Sequence, residues 1–76
     1  MTEVVTDPAV MSGDPVVHGT RILAETIVSY LRSGYSPREI FEDYPSLPSD
    51  GIDAVVRWAE TTYGPGWKTA ARTDHA

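Results

Sequence analysis

Two apolar stripes at helical spacing constrain this chain more than any other feature. Ala24, Ile27, Val28 and Leu31 fall at i, i+3, i+4 and i+7, and Ile52, Val55, Val56 and Ala59 repeat the interval. Side chains so spaced share one face of an α-helix. Gly34 follows the first stripe and Gly64-Pro65 the second, and both are helix-ending signals. Between the stripes, Ser36-Pro37-Arg38-Glu39 reads as the start of a shorter helix. Ser36 is the N-cap, Pro37 suits the first turn, and Glu39 can reach back to complete a capping box. Ile40, Phe41 and Tyr44 form its apolar side, and Pro45 stops it, because a residue before proline avoids helical geometry. The third helix is expected to begin near Ser49, with Gly51 weakening its first turn by up to about 1 kcal/mol relative to alanine.

The chain therefore divides into residues 1–22, a valine-rich β arm, residues 23–63, a core of three helices, and residues 64–76, a polar segment expected to be a flexible tail. In the arm, Val16-Val17 and Arg21-Ile22 flank His18-Gly19-Thr20, which reads as a tight hairpin. Val10-Met11 is a candidate extra strand before the Ser12-Gly13-Asp14-Pro15 turn. The expected fold class is mainly α: a three-helix, helix-turn-helix-like domain with a short N-terminal β arm or hairpin. A short turn around Pro45–Pro48 suits a helix-turn-helix and equally suits any small three-helix packing.

A chain of 76 residues supports one small core. It has no cysteine, which excludes disulfides and thiolate metal sites, and its two histidines, His18 and His75, lie far apart. No metal or other cofactor is expected. A partner chain is then the remaining source of extra burial. Short valine strands with an unpaired edge point to a homodimer joined through the arm. No apolar run is long enough to cross a bilayer, and no basic region precedes an apolar stretch at the N-terminus, so a cytoplasmic protein is expected.

Eleven acids against six bases give a net charge of −5. That balance disfavours nucleic-acid binding by bulk charge and favours docking on a basic surface. If the third helix reads DNA, its outward positions include Ser49, Asp50, Asp53, Arg57 and Glu60. The DNA-binding candidates are Arg21, Arg38, Ser49 and Arg57. Against this stand the acids Asp50 and Asp53 at the end of the helix that would meet phosphates. Arg21 is also placed to pair with Asp43 or Glu42. Asp50 and Asp53, at i and i+3, could hold a divalent ion, but acids are favoured in a first helical turn by the helix dipole alone. No pairing of nucleophile, base and acid suggests an enzyme. Trp58, Tyr63 and Trp67 are the partner-binding candidates, since aromatics in an otherwise polar segment often anchor a contact.

Two stretches resemble a known family. They are the segment from Asp7 to Ile22 containing Gly19-Thr20-Arg21-Ile22, and the segment from Gly34 to Leu47 containing Gly34-Tyr35-Ser36-Pro37-Arg38-Glu39-Ile40 and Asp43-Tyr44-Pro45-Ser46-Leu47. Together they are similar to the small bacterial proteins of the domain of unknown function 433 family over about Asp7 to Ala59. The resemblance implies a helix-turn-helix class fold and an antitoxin of the VapB kind. It implies a PIN-like ribonuclease toxin as the partner to be bound and inhibited, and leaves open autoregulation through operator DNA. The alternatives are a stand-alone helix-turn-helix transcriptional regulator or a non-enzymatic interaction module. The chain departs from the family pattern at Asp14, His18, Leu23 and Pro48. Asp14 and His18 remove positive charge from the arm, which weighs against DNA binding.

Overall fold

A computed structural model describes residues 1–70. Strand β1 (Val4–Val5) pairs antiparallel with β2 (Val16–Val17), with Val4 opposite Val17 and Val5 opposite Val16. Three helices follow, α1 (Ala24–Arg32), α2 (Pro37–Asp43) and α3 (Gly51–Tyr63), and then a single turn, α4 (Trp67–Ala70). The domain is mainly helical, with a two-stranded N-terminal sheet. Helix α1 lies at its centre, packed against α2, α3 and α4, while both strands rest on α3.

The two stripes do what their spacing requires. Ala24, Ile27, Val28 and Leu31 are all buried on α1, and Ile52, Val55 and Ala59 on α3. Val56 is only half-buried, and Ala54 takes its place inside. Helix α1 ends in a Schellman motif. The Tyr35 N–H donates to the Tyr30 carbonyl (3.1 Å) and the Gly34 N–H to the Leu31 carbonyl (3.1 Å). Gly34 makes this possible at φ 90°, a left-handed conformation that side chains with a Cβ resist. The apolar contact that accompanies such a motif is here aromatic, between Tyr30 and Tyr35.

Helix α2 opens on the expected capping box. The Glu39 N–H donates to Ser36 Oγ (3.2 Å), and the Ser36 N–H donates to Glu39 Oε1 (2.8 Å). Ser36→Ala removes one of these bonds and should cost about 1 kcal/mol. Thermal melting should register a fall of about 4–8 °C for a domain of this size; an unchanged midpoint would show that the box adds nothing.

Helix α3 begins at Gly51, two residues later than expected, and the glycine has a packing reason. A Cβ there would stand 2.8 Å from Leu47 Cδ1, and Leu47 is itself in the core. The glycine lets the chain fold closely over Leu47 as it turns from α2 into α3.

Three expectations for the ends of the chain are corrected. Val16–Val17 takes Val4–Val5 as its strand partner, and the expected hairpin across Gly19 is reduced to one antiparallel bridge, Val16 to Leu23, with no strand at Arg21-Ile22. The turn around Gly19 is present nonetheless, closed by the Val17 N–H donating to the Ile22 carbonyl (2.9 Å). Val10 makes only an isolated bridge to Asp7, and Met11–Gly13 is a 3-10 turn rather than strand. Asp7 shapes the turn that precedes it, accepting the Ala9 N–H at its carboxylate (2.9 Å) and the Val10 N–H at its carbonyl (2.8 Å). The third correction concerns the segment 64–76 expected to be a flexible tail. Trp67 is 4% exposed and belongs to the core, held over α1 and α3. Residues 71–76 lie outside the described part.

Val16 and Val17 are 2% and 0% exposed within the single chain. Both valines are thus covered within the one chain, with β2 resting on α3.

Candidate interaction surface

The residues that the sequence singles out fall into two groups. The aromatic candidates come together. Trp58 and Tyr63 meet edge to face with centroids 5.5 Å apart, and the Arg32 guanidinium lies 5.1 Å from the Tyr63 ring centre. Arg32 Nε also donates to the Trp67 carbonyl (2.9 Å). One arginine of α1 therefore links the end of α3 to α4. Trp67 is spent on the core, Trp58 is half-buried, and Tyr63, 44% exposed, is the member open to solvent. Arg32 was not identified from the sequence, because its partners are 31 and 35 positions away and no local pattern marks it.

The basic candidates sit at the surface on different parts of the chain, Arg21 before α1, Arg38 on α2, Ser49 in the connector and Arg57 on α3. Arg21, Arg38, Ser49 and Arg57 are all exposed, and no hydrogen bond or ring contact among the described residues joins any two of them. The expected ion pair between Arg21 and Asp43 or Glu42 is absent among the described residues. Asp43 instead accepts a hydrogen bond from the Tyr30 hydroxyl (3.0 Å). Arg57 is engaged within the chain, donating to the Thr2 carbonyl (3.2 Å).

Thr2 is clamped to α3 from a second side. Its N–H donates to Asp50 Oδ2 (2.9 Å), and its hydroxyl donates to Asp50 Oδ1. Asp50 stands at the N-cap of α3 but makes no side-chain cap bond; its carboxylate holds the arm instead. An open groove of about 270 Å³ lies between arm and helix, lined by Glu3, Val4, Ala54, Arg57 and Trp58 among others. The α3 end proposed to meet DNA thus carries Asp50 and Asp53 and is crossed by the arm. The connector from α2 to α3 runs over seven residues, 44–50, longer than the three or four of a compact DNA-reading turn. Among the described residues no cluster of three acids, histidines or cysteines could hold a metal ion.

Hydrogen bonds from the Thr2 hydroxyl and then from its backbone N–H hold the Asp50 carboxyl below its ordinary value. A carboxyl depressed in the folded state contributes stability above the unfolded value of about 4 and loses it as pH falls through the folded value. The difference in melting temperature between this chain and Asp50→Asn should accordingly be full at neutral pH and shrink progressively as pH falls below about 4. A difference that does not shrink at all on acidification would mean that the carboxylate charge is not its source.

A second surface lies where α1 meets α2. Tyr30 packs edge to face on Tyr35 (4.8 Å between centroids) and on Tyr44 (5.6 Å). Bonding to Asp43 and Tyr44 pushes the Tyr30 hydroxyl far above the ordinary tyrosine range, so it stays protonated. Tyr35 is 46% exposed beside a shallow cleft lined by Ser33, Gly34 and Glu39.

The family model described as "Protein of unknown function (DUF433)" matches residues 4–59. The chain belongs to this family. A curated relative, "Uncharacterized protein y4eO" of Sinorhizobium fredii (strain NBRC 101917 / NGR234), is 34% identical over 59 residues, which is 76% of this chain and 27% of that protein. The chain thus spans about a quarter of the relative's length. No solved structure matches. The DUF433 segment runs from β1 to Ala59 and includes the tyrosine corner, whereas Tyr63 and Trp67 lie beyond it.

Within the DUF433 segment the recognisable motifs are largely structural. In Gly19-Thr20-Arg21-Ile22, Gly19 supplies φ 83°. Thr20 Oγ1 donates to the Val17 carbonyl (2.8 Å) and accepts the Ile22 N–H (3.0 Å), while Ile22 enters the core. The Arg21 side chain is exposed. In Asp43-Tyr44-Pro45-Ser46-Leu47, the first two residues build the tyrosine corner and Leu47 packs under Gly51. Among the described residues no helix is long and apolar enough to cross a membrane.

Proposed function

We propose that this chain is a non-enzymatic interaction domain of the antitoxin type, which binds and inhibits a PIN-like ribonuclease. The observation that carries this reading is the unspent negative charge of its outer surface. Glu42 on α2 and Asp53 and Glu60 on α3 are exposed and have no partner among the described residues, in a chain of net charge −5. A nuclease that grips RNA presents a cationic groove, and solvated carboxylates compete with phosphates for such a lining. The groove beside the arm and the cleft beside Tyr35 are open to solvent, unlike the enclosed pockets that take small substrates.

Operator binding has less support. Arg57 is committed to Thr2, the basic candidates are spread over different elements, and Asp50 and Asp53 sit at the end of α3 that would meet phosphates. A homodimer would have to use some surface other than Val16 and Val17.

The test is co-expression with the product of the adjacent reading frame. The proposal requires that product to be a basic PIN-like protein that copurifies with this chain and arrests growth when expressed without it. A neighbour that neither copurifies nor arrests growth would remove the antitoxin reading.

A further inference from the structure

The tyrosine corner holds more than the fold asks of it. The Schellman motif at the end of α1 needs an apolar residue at position 35 to cover Tyr30, and an aliphatic side chain would satisfy it. The chain places an aromatic ring there and leaves it 46% exposed. One carboxylate shares its cleft and a second is reached through Tyr30. Glu39 lines the same cleft, of about 200 Å³. Asp43 is tied to Tyr30, the ring on which Tyr35 packs. Each carboxylate gives one oxygen to a bond within the domain, Glu39 Oε1 to the Ser36 N–H and Asp43 Oδ2 to the Tyr30 hydroxyl. A carboxylate has about four acceptor positions, so both retain capacity. Helix α2 carries three acids, Glu39, Glu42 and Asp43, against the single base Arg38.

An exposed aromatic ring with carboxylates in the same corner is the chemistry that receives a guanidinium. The ring quadrupole attracts the cation, and the carboxylate takes its N–H fork. We propose that the corner formed by Tyr35, Glu39 and Asp43 is the docking site for an arginine side chain on the basic surface of the partner protein. This deepens the proposed function and rests on it for the kind of partner. It assigns the anchoring contact to the α1–α2 corner rather than to Trp58, Tyr63 or the groove beside the arm.

Two measurements on the full chain test it. In the first, the isotopically labelled chain is titrated with an arginine-rich peptide, and separately with the same peptide carrying neutral citrulline in place of arginine. The arginine peptide should shift backbone resonances within 30–44, and the citrulline peptide should not. Equal shifts from both peptides, or shifts centred on α3, would overturn the assignment. In the second, affinity for the copurified nuclease is compared between this chain, Tyr35→Leu and Glu39→Gln/Asp43→Asn. Leucine keeps the apolar cover over Tyr30, glutamine keeps the capping box and asparagine keeps an acceptor for the Tyr30 hydroxyl. All variants should therefore stay folded by circular dichroism, with Tyr35→Leu binding about fivefold more weakly and the double amide variant about tenfold. Full affinity in both folded variants would sink the corner while leaving the antitoxin reading intact. A positive peptide result with no nuclease binding by the unaltered chain would do the reverse.

Discussion

Trp67→Ala should lower the melting temperature of this domain by more than about 10 °C. Truncating a buried tryptophan typically costs about 3–5 kcal/mol, from lost transfer free energy and from the cavity left behind. Whole domains are stable by roughly 0.05–0.15 kcal/mol per residue, which for this length is about 4–11 kcal/mol in all. One side chain is therefore a large part of the total. Trp67 is 4% exposed and closes the core over α1 and α3. Arg32 secures it from α1 by donating to its carbonyl and resting over Tyr63. Removing residues 64–76 deletes the same side chain and should be no milder. A truncated chain that melts with the full-length one would show that α4 is dispensable, and binding data on that chain would then be interpretable. If it unfolds, loss of nuclease binding on truncation says nothing about a contact.

The second large effect concerns association. The triple variant Glu42→Gln, Asp53→Asn and Glu60→Gln should slow capture of the nuclease by about tenfold or more at low salt, with little change in melting temperature. The three side chains are exposed and have no partner among the described residues, so the amides disturb nothing inside the domain. They remove three of the eleven acids and so most of the net charge of −5. Raising ionic strength on the unaltered chain should reproduce the loss, because charges more than about 10 Å apart are screened at 0.1 M salt. An association rate indifferent to both changes would exclude electrostatic steering.

Much of this architecture is legible in the sequence because it is local. The stripe on α1, the capping box at Ser36 and the stop at Gly34 each need only a few neighbouring residues to take effect. What the sequence hides is set by distant partners. Val4–Val5 finds Val16–Val17 only once the arm lies on α3, so the nearer pairing with Arg21-Ile22 reads as the simpler hairpin. Asp50 resembles an ordinary first-turn acid, and only its bonds to Thr2, 48 positions away, make it the anchor of the arm. Gly51 reads as a weak helix residue until Leu47 lies beneath it. Trp67 sits in a stretch with no apolar period, because a single helical turn needs no more than one inward side chain. The aromatic candidates were legible as residues but not as roles. Trp67 proves structural, and the exposed tyrosine beside free carboxylate oxygens, Tyr35, is seen only when α1 and α2 are folded together.

The proposed role, inhibition of a ribonuclease by occupying its cationic groove, can be measured by titrating the purified chain into the purified neighbouring nuclease and following cleavage of a fluorescent RNA. Inhibition should saturate at a fixed stoichiometry, compete with RNA, and weaken as salt is raised. Undiminished cleavage at a molar excess of folded chain would contradict it.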